Sequence, residues 1–315
     1  MSKTEKPLII LFNYGGGLRG IVPAIIMAEI EKRTGKAMAE MVDIFAGPST
    51  GAILNAALNV PSEDDPSKPK FSARHMVHFY EREGGNIFPQ DRYRELRGII
   101  HDVNNRVLKN TRIGSLFRKG HYDSRHLTYC LKKLYGDMKL SDSLKSIVIP
   151  TYNIDGEQLH RVEEERSLSA RHNFLDQGGH AVWLKHMPID PKLRDSTPIV
   201  NMYDAVLAST AAPTYFPCHH FYADYNRDGK MQHFSGIDGS VFDNPCISYY
   251  GAIKQHLPAD REVVMIMLGT GYAIHSFTQE AWNSFGSLGV VDPKNNLPLI
   301  NILFQSPESA LAHSF

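Results

Sequence analysis

A chain of 315 residues with 42% hydrophobic content can bury a large core, as one large domain or two smaller ones. Its 34 basic and 34 acidic side chains cancel to a formal charge of zero, which excludes a nucleic-acid binder working through bulk electrostatics. The 3 cysteines, Cys130, Cys218 and Cys246, are odd in number and far apart, which suggests neither a disulfide framework nor a zinc site and fits a reducing compartment.

The apolar run Leu8-Ile9-Ile10-Leu11-Phe12 follows Lys3 and Lys6 but is too short for a signal peptide and has no small-residue cleavage site after it. It reads as a first strand over 7–13. No window approaches about eighteen apolar residues, so a cytoplasmic chain with only peripheral membrane contact is expected. The strand breaks at Tyr14-Gly15-Gly16-Gly17-Leu18-Arg19-Gly20, and a helix follows over 21–33 with Pro23 in its first turn, where a missing N–H costs little. N–H groups at a helix start lack partners, and a glycine run lets an anion, phosphate or oxyanion, come close to them. Read literally, Gly15-x-Gly17-x-x-Gly20 is also a dinucleotide fingerprint, which wants an acidic residue about twenty positions on. Glu40 and Asp43 lie near that spacing. A P-loop is excluded, because no Gly-Lys-Ser/Thr follows.

A second strand over 41–46 leads into Gly47-Pro48-Ser49-Thr50-Gly51 and then a helix over 52–58. Strand, Gly-x-Ser-x-Gly, helix is the order in which a sharp turn lifts a serine hydroxyl out at the carboxyl edge of a sheet, so Ser49 is the candidate nucleophile. Gly47 and Gly51 allow the strained turn, and Ala52, Ala56 and Ala57 let the helix lie close to the sheet. Two consecutive strands of an open parallel sheet end side by side, which would set Gly15 to Gly17 against Ser49 as N–H donors for an oxyanion.

Residues 61–70 read as a surface loop and 71–83 as a helix whose His75 and His78 are packing or surface residues. The arginine- and lysine-rich stretch 91–121 reads as a solvated face or as a site for phosphate headgroups or an anionic regulator. A helix over 127–135 and a strand over 146–153 follow, while 161–194 is mostly polar and takes no assignment. A helix over 202–208 ends in the small-residue turn from Ser209 to Pro217, whose chemistry is not readable from residue type. Strands 221–225 and 231–234 flank a hairpin turn. Its Asp224-x-Asn226-x-Asp228-Gly229 resembles the start of a calcium loop, but position twelve is Ser235 and no helices flank it. Asp238-Gly239 then places a carboxylate at a strand end beside a glycine. A last strand over 261–268 breaks at Gly269-Thr270-Gly271, and a helix starting at 306–308 stops about a turn later, as a truncated C-terminal helix would.

For an α/β-hydrolase triad the histidine would follow Asp238, leaving His256, His275 and His313 as candidates. The combined motifs instead resemble the patatin-like phospholipase family. The stretch from Tyr14 to Gly20 is similar to its oxyanion loop, Gly47 to Gly51 to its Gly-x-Ser-x-Gly elbow, and Asp238-Gly239 to its Asp-Gly motif. Ser209 to Pro217, Asp243-Asn244-Pro245 and Leu268 to Gly271 resemble further segments of the pattern. The resemblance implies a three-layer α/β/α sandwich with a mostly parallel central sheet, forming a single catalytic domain over 1–315. It implies a phospholipase A-type lipid acyl hydrolase with a Ser49–Asp238 dyad and no metal or other cofactor. Gly15, Gly16, Gly17, Leu18 and Arg19 would hold the oxyanion. The expected partner is a phospholipid or other acyl lipid at a membrane surface, with no nucleic acid polymer. Similarity to bacterial members adds an expectation of activation by a cyclic nucleotide or a protein partner, as in antiviral effectors. Tyr14, where the family usually has aspartate, and Pro48, where threonine is frequent, depart from the pattern. The remaining alternatives are a Ser-His-Asp esterase and a non-catalytic nucleotide- or lipid-binding module built on the glycine loop.

Overall fold

The computed structural model describes residues 6–87, 123–155, 179–271 apart from 191, 192, 194 and 214, then 277–290, 295, 298, 299, 302 and 303. The basic stretch 91–121, His275, His313 and the helix start at 306–308 lie outside these. In chain order the strands are β1 (Leu8–Asn13), β2 (Ile44–Ala46), β3 (Ser146–Asn153), β4 (His180–His186), β5 (His219–Ala223), β6 (Gln232–Asp238) and β7 (Val263–Leu268). The helices are α1 (Ile21–Thr34), α2 (Met38–Met41), α3 (Thr50–Ala57), α4 (Ala73–Ile87), α5 (Arg125–Tyr135), α6 (Met202–Thr210), α7 (Pro245–Ser248) and α8 (Gln279–Gly289). Parallel pairing runs β7–β1–β2–β3, and antiparallel pairing joins β4 and β6 to β3 and β5 to β6.

The runs of β1 and β2 and the stretch Ile147, Val148 and Ile149 of β3 are apolar because both faces of the sheet are covered there. Ile10, Phe12, Ile44, Ala46 and Val148 point to one side, where Ala252 and Ile253 pack on them. Leu11, Phe45, Ile147 and Ile149 point to the other, into a larger core with Met27 of α1, Leu54 of α3, Met76 of α4, Leu131 of α5 and Val206 of α6. This is the expected three-layer α/β/α arrangement around a mixed, mostly parallel sheet.

Two local readings need correction. Met41 belongs to α2 and β2 is shorter than the apolar run, because the Glu40 carboxylate accepts the Ala37 N–H at 2.6 Å and closes a helical turn first. The unassigned stretch contains β4, whose Val182 and Leu184 alternate inward among His, Lys and Trp residues that mask the period.

One feature of β3 organises the active end of the sheet. β4 occupies one edge of β3 from Ile147 to Asn153, so both β2 and β6 must use the other edge. β2 pairs in parallel as far as Ala46↔Val148, and β6 arrives antiparallel as far as Asp238↔Thr151. Their carboxyl ends therefore run toward each other and stop on either side of Ile149-Pro150. A proline in an inner strand would normally cost a ladder hydrogen bond. Here its missing N–H would face the gap between the two strand ends, where no strand partner stands.

The turn after β2 passes tight against the end of β1. A Cβ on Gly47, whose φ is +139°, or on Gly51 would stand 2.0 Å from the Asn13 carbonyl oxygen. Buried Asn13 in turn donates to Asn55 Oδ1 at 2.6 Å, and Asn55 donates to the Ala46 carbonyl at 2.8 Å, tying β1, α3 and β2 together. Gly47→Ala and Gly51→Ala are therefore expected to destabilise the fold by about 3 kcal/mol or more. Gly85→Ala, on an α4 glycine whose added Cβ meets open space, should stabilise by roughly 0.5–1 kcal/mol. Urea unfolding midpoints of the three variants check both signs.

Candidate active site

Ser49 caps α3 with φ 56° and ψ −126°, a conformation that a non-glycine residue holds only when its surroundings enforce it. The enforcement comes from the far end of α6. Ser209 Oγ accepts the Ser49 N–H at 3.1 Å and donates to the Pro150 carbonyl at 2.6 Å, filling the gap in the edge of β3. Two residues on, the Ala211 carbonyl accepts the Asp238 N–H at 3.0 Å. The segment from Ser209 to Ala211 thus fastens both strand ends. Gly239 lets β6 close in, since a Cβ there would meet the Pro150 oxygen at 2.3 Å.

This arrangement sets the Ser49 side chain beside the Asp238 carboxyl, close enough to act on its pKa. Both residues are buried, Ser49 at 8% exposure and Asp238 at 1%. Burial raises the Asp238 pKa to about 6, against the opposing influence of the Ser240 N–H, which donates to Oδ1 at 2.8 Å, and of the Ser49 and Ser240 side chains. Nearby Asp243, buried against Ser248 and Trp183, is raised by the same desolvation to about 7.

The glycine loop packs against Ser49 and Ser240. A Cβ on Gly15 would come within 3.2 Å of the Ser49 Cβ and 2.2 Å of Ser240 Oγ, so glycine is what lets the loop sit there. Thr270, just past β7, donates its hydroxyl to the Gly15 carbonyl at 2.9 Å and holds the loop from its outer side. Gly20 is pressed onto Thr50 Oγ1, itself bonded to the buried Tyr80 hydroxyl. A 3-10 turn over Gly17–Gly20 runs directly into α1. Its first closed bond is Arg19 N–H to the Gly16 carbonyl at 3.2 Å, so the Gly17 and Leu18 N–H groups precede the hydrogen-bonded turn. The Arg19 side chain is exposed beside them.

Ser49, Asp238 and the loop from Gly15 to Arg19 are thus gathered in one place, with Gly47 and Gly51 shaping the turn. Tyr14 packs its ring edge-on against Phe12, with centroids 5.1 Å apart, and Pro48 accepts the Gly51 N–H at 2.9 Å in the first turn of α3. The nucleotide reading loses its acidic partner. Asp43 lies just before β2, at the end remote from the loop, where its carboxylate accepts the Ile9 N–H at 2.8 Å. His256 sits in the segment after α7, where burial first and the Lys185 charge second lower its pKa. Residue type alone missed Ser209, Ser240 and Thr270. For Ser209 and Thr270 the available signals were their place in small-residue turns and the resemblance of those turns to the family pattern, neither of which gives a role.

Fold and site together define an α/β/α protein with a mixed, mostly parallel central sheet. The chain belongs to the patatin-like phospholipase family, whose model matches residues 14–249. It is 29% identical to patatin-like protein 1 of Arabidopsis thaliana over 269 residues, covering 81% of this chain and 55% of that protein. Over 318 residues it is 26% identical to patatin-like protein 2 of the same plant, covering 94% and 68%. Patatin-15 of Solanum tuberosum is 26% identical over 290 residues, covering 86% and 62%. The chain spans little more than half the length of several of the curated relatives it matches. No described helix is long and apolar enough to cross a membrane.

The buried carboxyl makes a stability prediction. With its pKa raised from 3.8 to about 6, Asp238 contributes stability that is fully present below about pH 3.8 and is lost as pH rises through about 6. At pH 7.5 the ionised group then costs about 3 kcal/mol, which Asp238→Asn removes. The variant should therefore melt several degrees above the parent at pH 7.5, with the difference fading below pH 4. Calorimetric melting across pH 3.5–8 reads this directly.

Proposed function

We propose that this protein is a phospholipase A-type lipid acyl hydrolase that forms one catalytic domain and cleaves carboxylic esters of membrane lipids through an acyl-enzyme on Ser49. The observation that carries this reading is the meeting of Ser49 and Asp238 across the gap in one edge of β3, with the glycine loop against the serine. Ser49 Oγ attacks the ester carbonyl carbon while Asp238 takes the hydroxyl proton. The carbonyl oxygen, now negative, is held by N–H groups of the Gly15 to Leu18 loop at the start of α1. Collapse of the intermediate expels the lysolipid alkoxide, which takes the proton from Asp238. Water then attacks the acyl-serine by the same route, giving a fatty acid and free Ser49.

A carboxylate of ordinary pKa is a weak base for serine. Burial improves Asp238 by raising it to about 6, nearer the working pH. Since the Arg19 N–H is engaged by Gly16, Arg19 acts through its guanidinium alone, toward the substrate's phosphate side. Leu18, Val22, Ile25 and Ile26 leave apolar side chains exposed at helical spacing beside the loop, a stripe suited to peripheral contact with a lipid surface. Control by a cyclic nucleotide or a protein activator, in the manner of an antiviral effector, is motivated by the basic stretch 91–121. A calorimetric titration with cyclic di- and trinucleotides that gives no heat and no gain in activity would remove the nucleotide part of this reading.

The direct test is ester hydrolysis on mixed phospholipid vesicles and on a short p-nitrophenyl ester. Ser49→Ala and Asp238→Asn, at equal folded content, should each lower kcat/KM by at least about 10³-fold. The parent's kcat/KM should climb as pH rises through about 6, because the base must be ionised. Retention of activity in Asp238→Asn would send the search to a histidine, His275 first.

A further inference from the structure

Away from Ser49, three metal-type donors converge between two helices. Glu83 comes from α4, and His126 and Cys130 come from α5, where a spacing of four sets both on one helical face. His126 Nε2 lies 2.9 Å from Glu83 Oε2 and 3.5 Å from Cys130 Sγ, and Sγ lies 3.7 Å from the same carboxylate oxygen. A tetrahedral zinc ion with ordinary bond lengths holds sulfur about 3.5 Å from its nitrogen or oxygen neighbours, and nitrogen about 3.3 Å from oxygen. Two of the three separations are already those of a zinc site, and the third needs to open by only about 0.4 Å.

A helix–helix contact would be complete with the Glu83–His126 pair alone. Instead a core thiol, 4% exposed, directs its sulfur at both partners, while His126 and Glu83 keep 36% and 33% side-chain exposure and give an ion a way in. Carboxylate, imidazole and thiol form a donor set that suits a borderline-soft divalent cation and that magnesium or calcium would not favour. Without a cation, burial pushes the Cys130 thiol up to about 11, so it stays protonated and the trio is a hydrogen-bonded set. We propose that Glu83, His126 and Cys130 form a zinc-type site that clasps α4 to α5, with a fourth position for water. On binding, the Sγ proton leaves to solvent and a Zn–S bond replaces the S–H bond.

The clasp would act on the frame of the active end. Gly84, next to Glu83, packs on Leu18 of the glycine loop, where an added Cβ would meet Cδ1 at 2.2 Å. Tyr80, one turn earlier, holds Thr50 beside Ser49. A metal bond between α4 and α5 also joins Glu83 and His126, 43 residues apart in the chain, and stabilises the folded state, which alone brings the donors together. That separation is why spacing along the sequence points to no metal.

The test is titration of the chelator-treated, full-length protein with Co²⁺, followed by displacement with Zn²⁺. The proposal expects one equivalent of four-coordinate cobalt with strong visible bands and a near-ultraviolet thiolate-to-metal band. Cys130→Ser should abolish the thiolate band, whereas Cys218→Ser and Cys246→Ser should keep it. Glu83→Gln, checked for folding by circular dichroism, should weaken binding at least about tenfold. One equivalent of Zn²⁺ should also raise the parent's thermal midpoint by several degrees. Failure of the folded parent to bind cobalt, a complex without the thiolate band, or a band that survives in Cys130→Ser would each overturn the site.

Discussion

The arrangement depends on a gap in a hydrogen-bonded edge. β3 has two edges, β4 fills one, and β2 and β6 share the other without meeting. Buried backbone groups in that gap must find partners or incur the cost of desolvation. Pro150 removes one donor, and Ser209 answers the remaining acceptor at 2.6 Å while fixing the Ser49 N–H. The constraint that completes the sheet therefore also sets the strained serine and the strand-end aspartate facing each other. Stability and chemistry use the same few atoms.

Electrostatics follows from that geometry. A carboxyl placed at an inner strand end among serine hydroxyls and N–H groups has, among the described residues, no cation beside it to offset desolvation, so its pKa rises. The folded state bears a standing cost for an ionised Asp238, of the kind functional sites impose on otherwise well-packed proteins. Under the proposed mechanism, that same burial is what makes Asp238 a stronger base. The placement of the glycine loop has a related origin. The glycine loop ends β1 beside β2 because the two strands are parallel neighbours, and the loop continues into α1, whose dipole favours negative charge at that end.

Much of this was legible in the sequence where the signal was local. Glycines at 15, 16, 47 and 51 mark turns whose close contacts only glycine permits, Gly17 holds a positive φ, and the order strand, turn, helix is readable within a dozen or so residues. The inward run of β3 and the hairpin between β5 and β6 follow from apolar pattern and turn residues. What stayed hidden depends on distant pairing. Ser209 meets Ser49 across 160 positions and Thr270 meets Gly15 across 255, and no local pattern encodes either bond. β4 escaped because its two inward aliphatic residues are interleaved with Trp183 and Lys185 and flanked by histidines. β2 looked longer than it is because helix α2 and its Glu40 contact occupy the start of the same apolar run.

The most direct measurement of the central claim is covalent trapping with an alkyl fluorophosphonate, followed by peptide mass spectrometry and by labelling rates across pH. A single adduct on Ser49, formed at a rate that rises through about pH 6 and falls sharply in Asp238→Asn, is the predicted result. An adduct on another hydroxyl, or Ser49 labelling indifferent to Asp238, would contradict it.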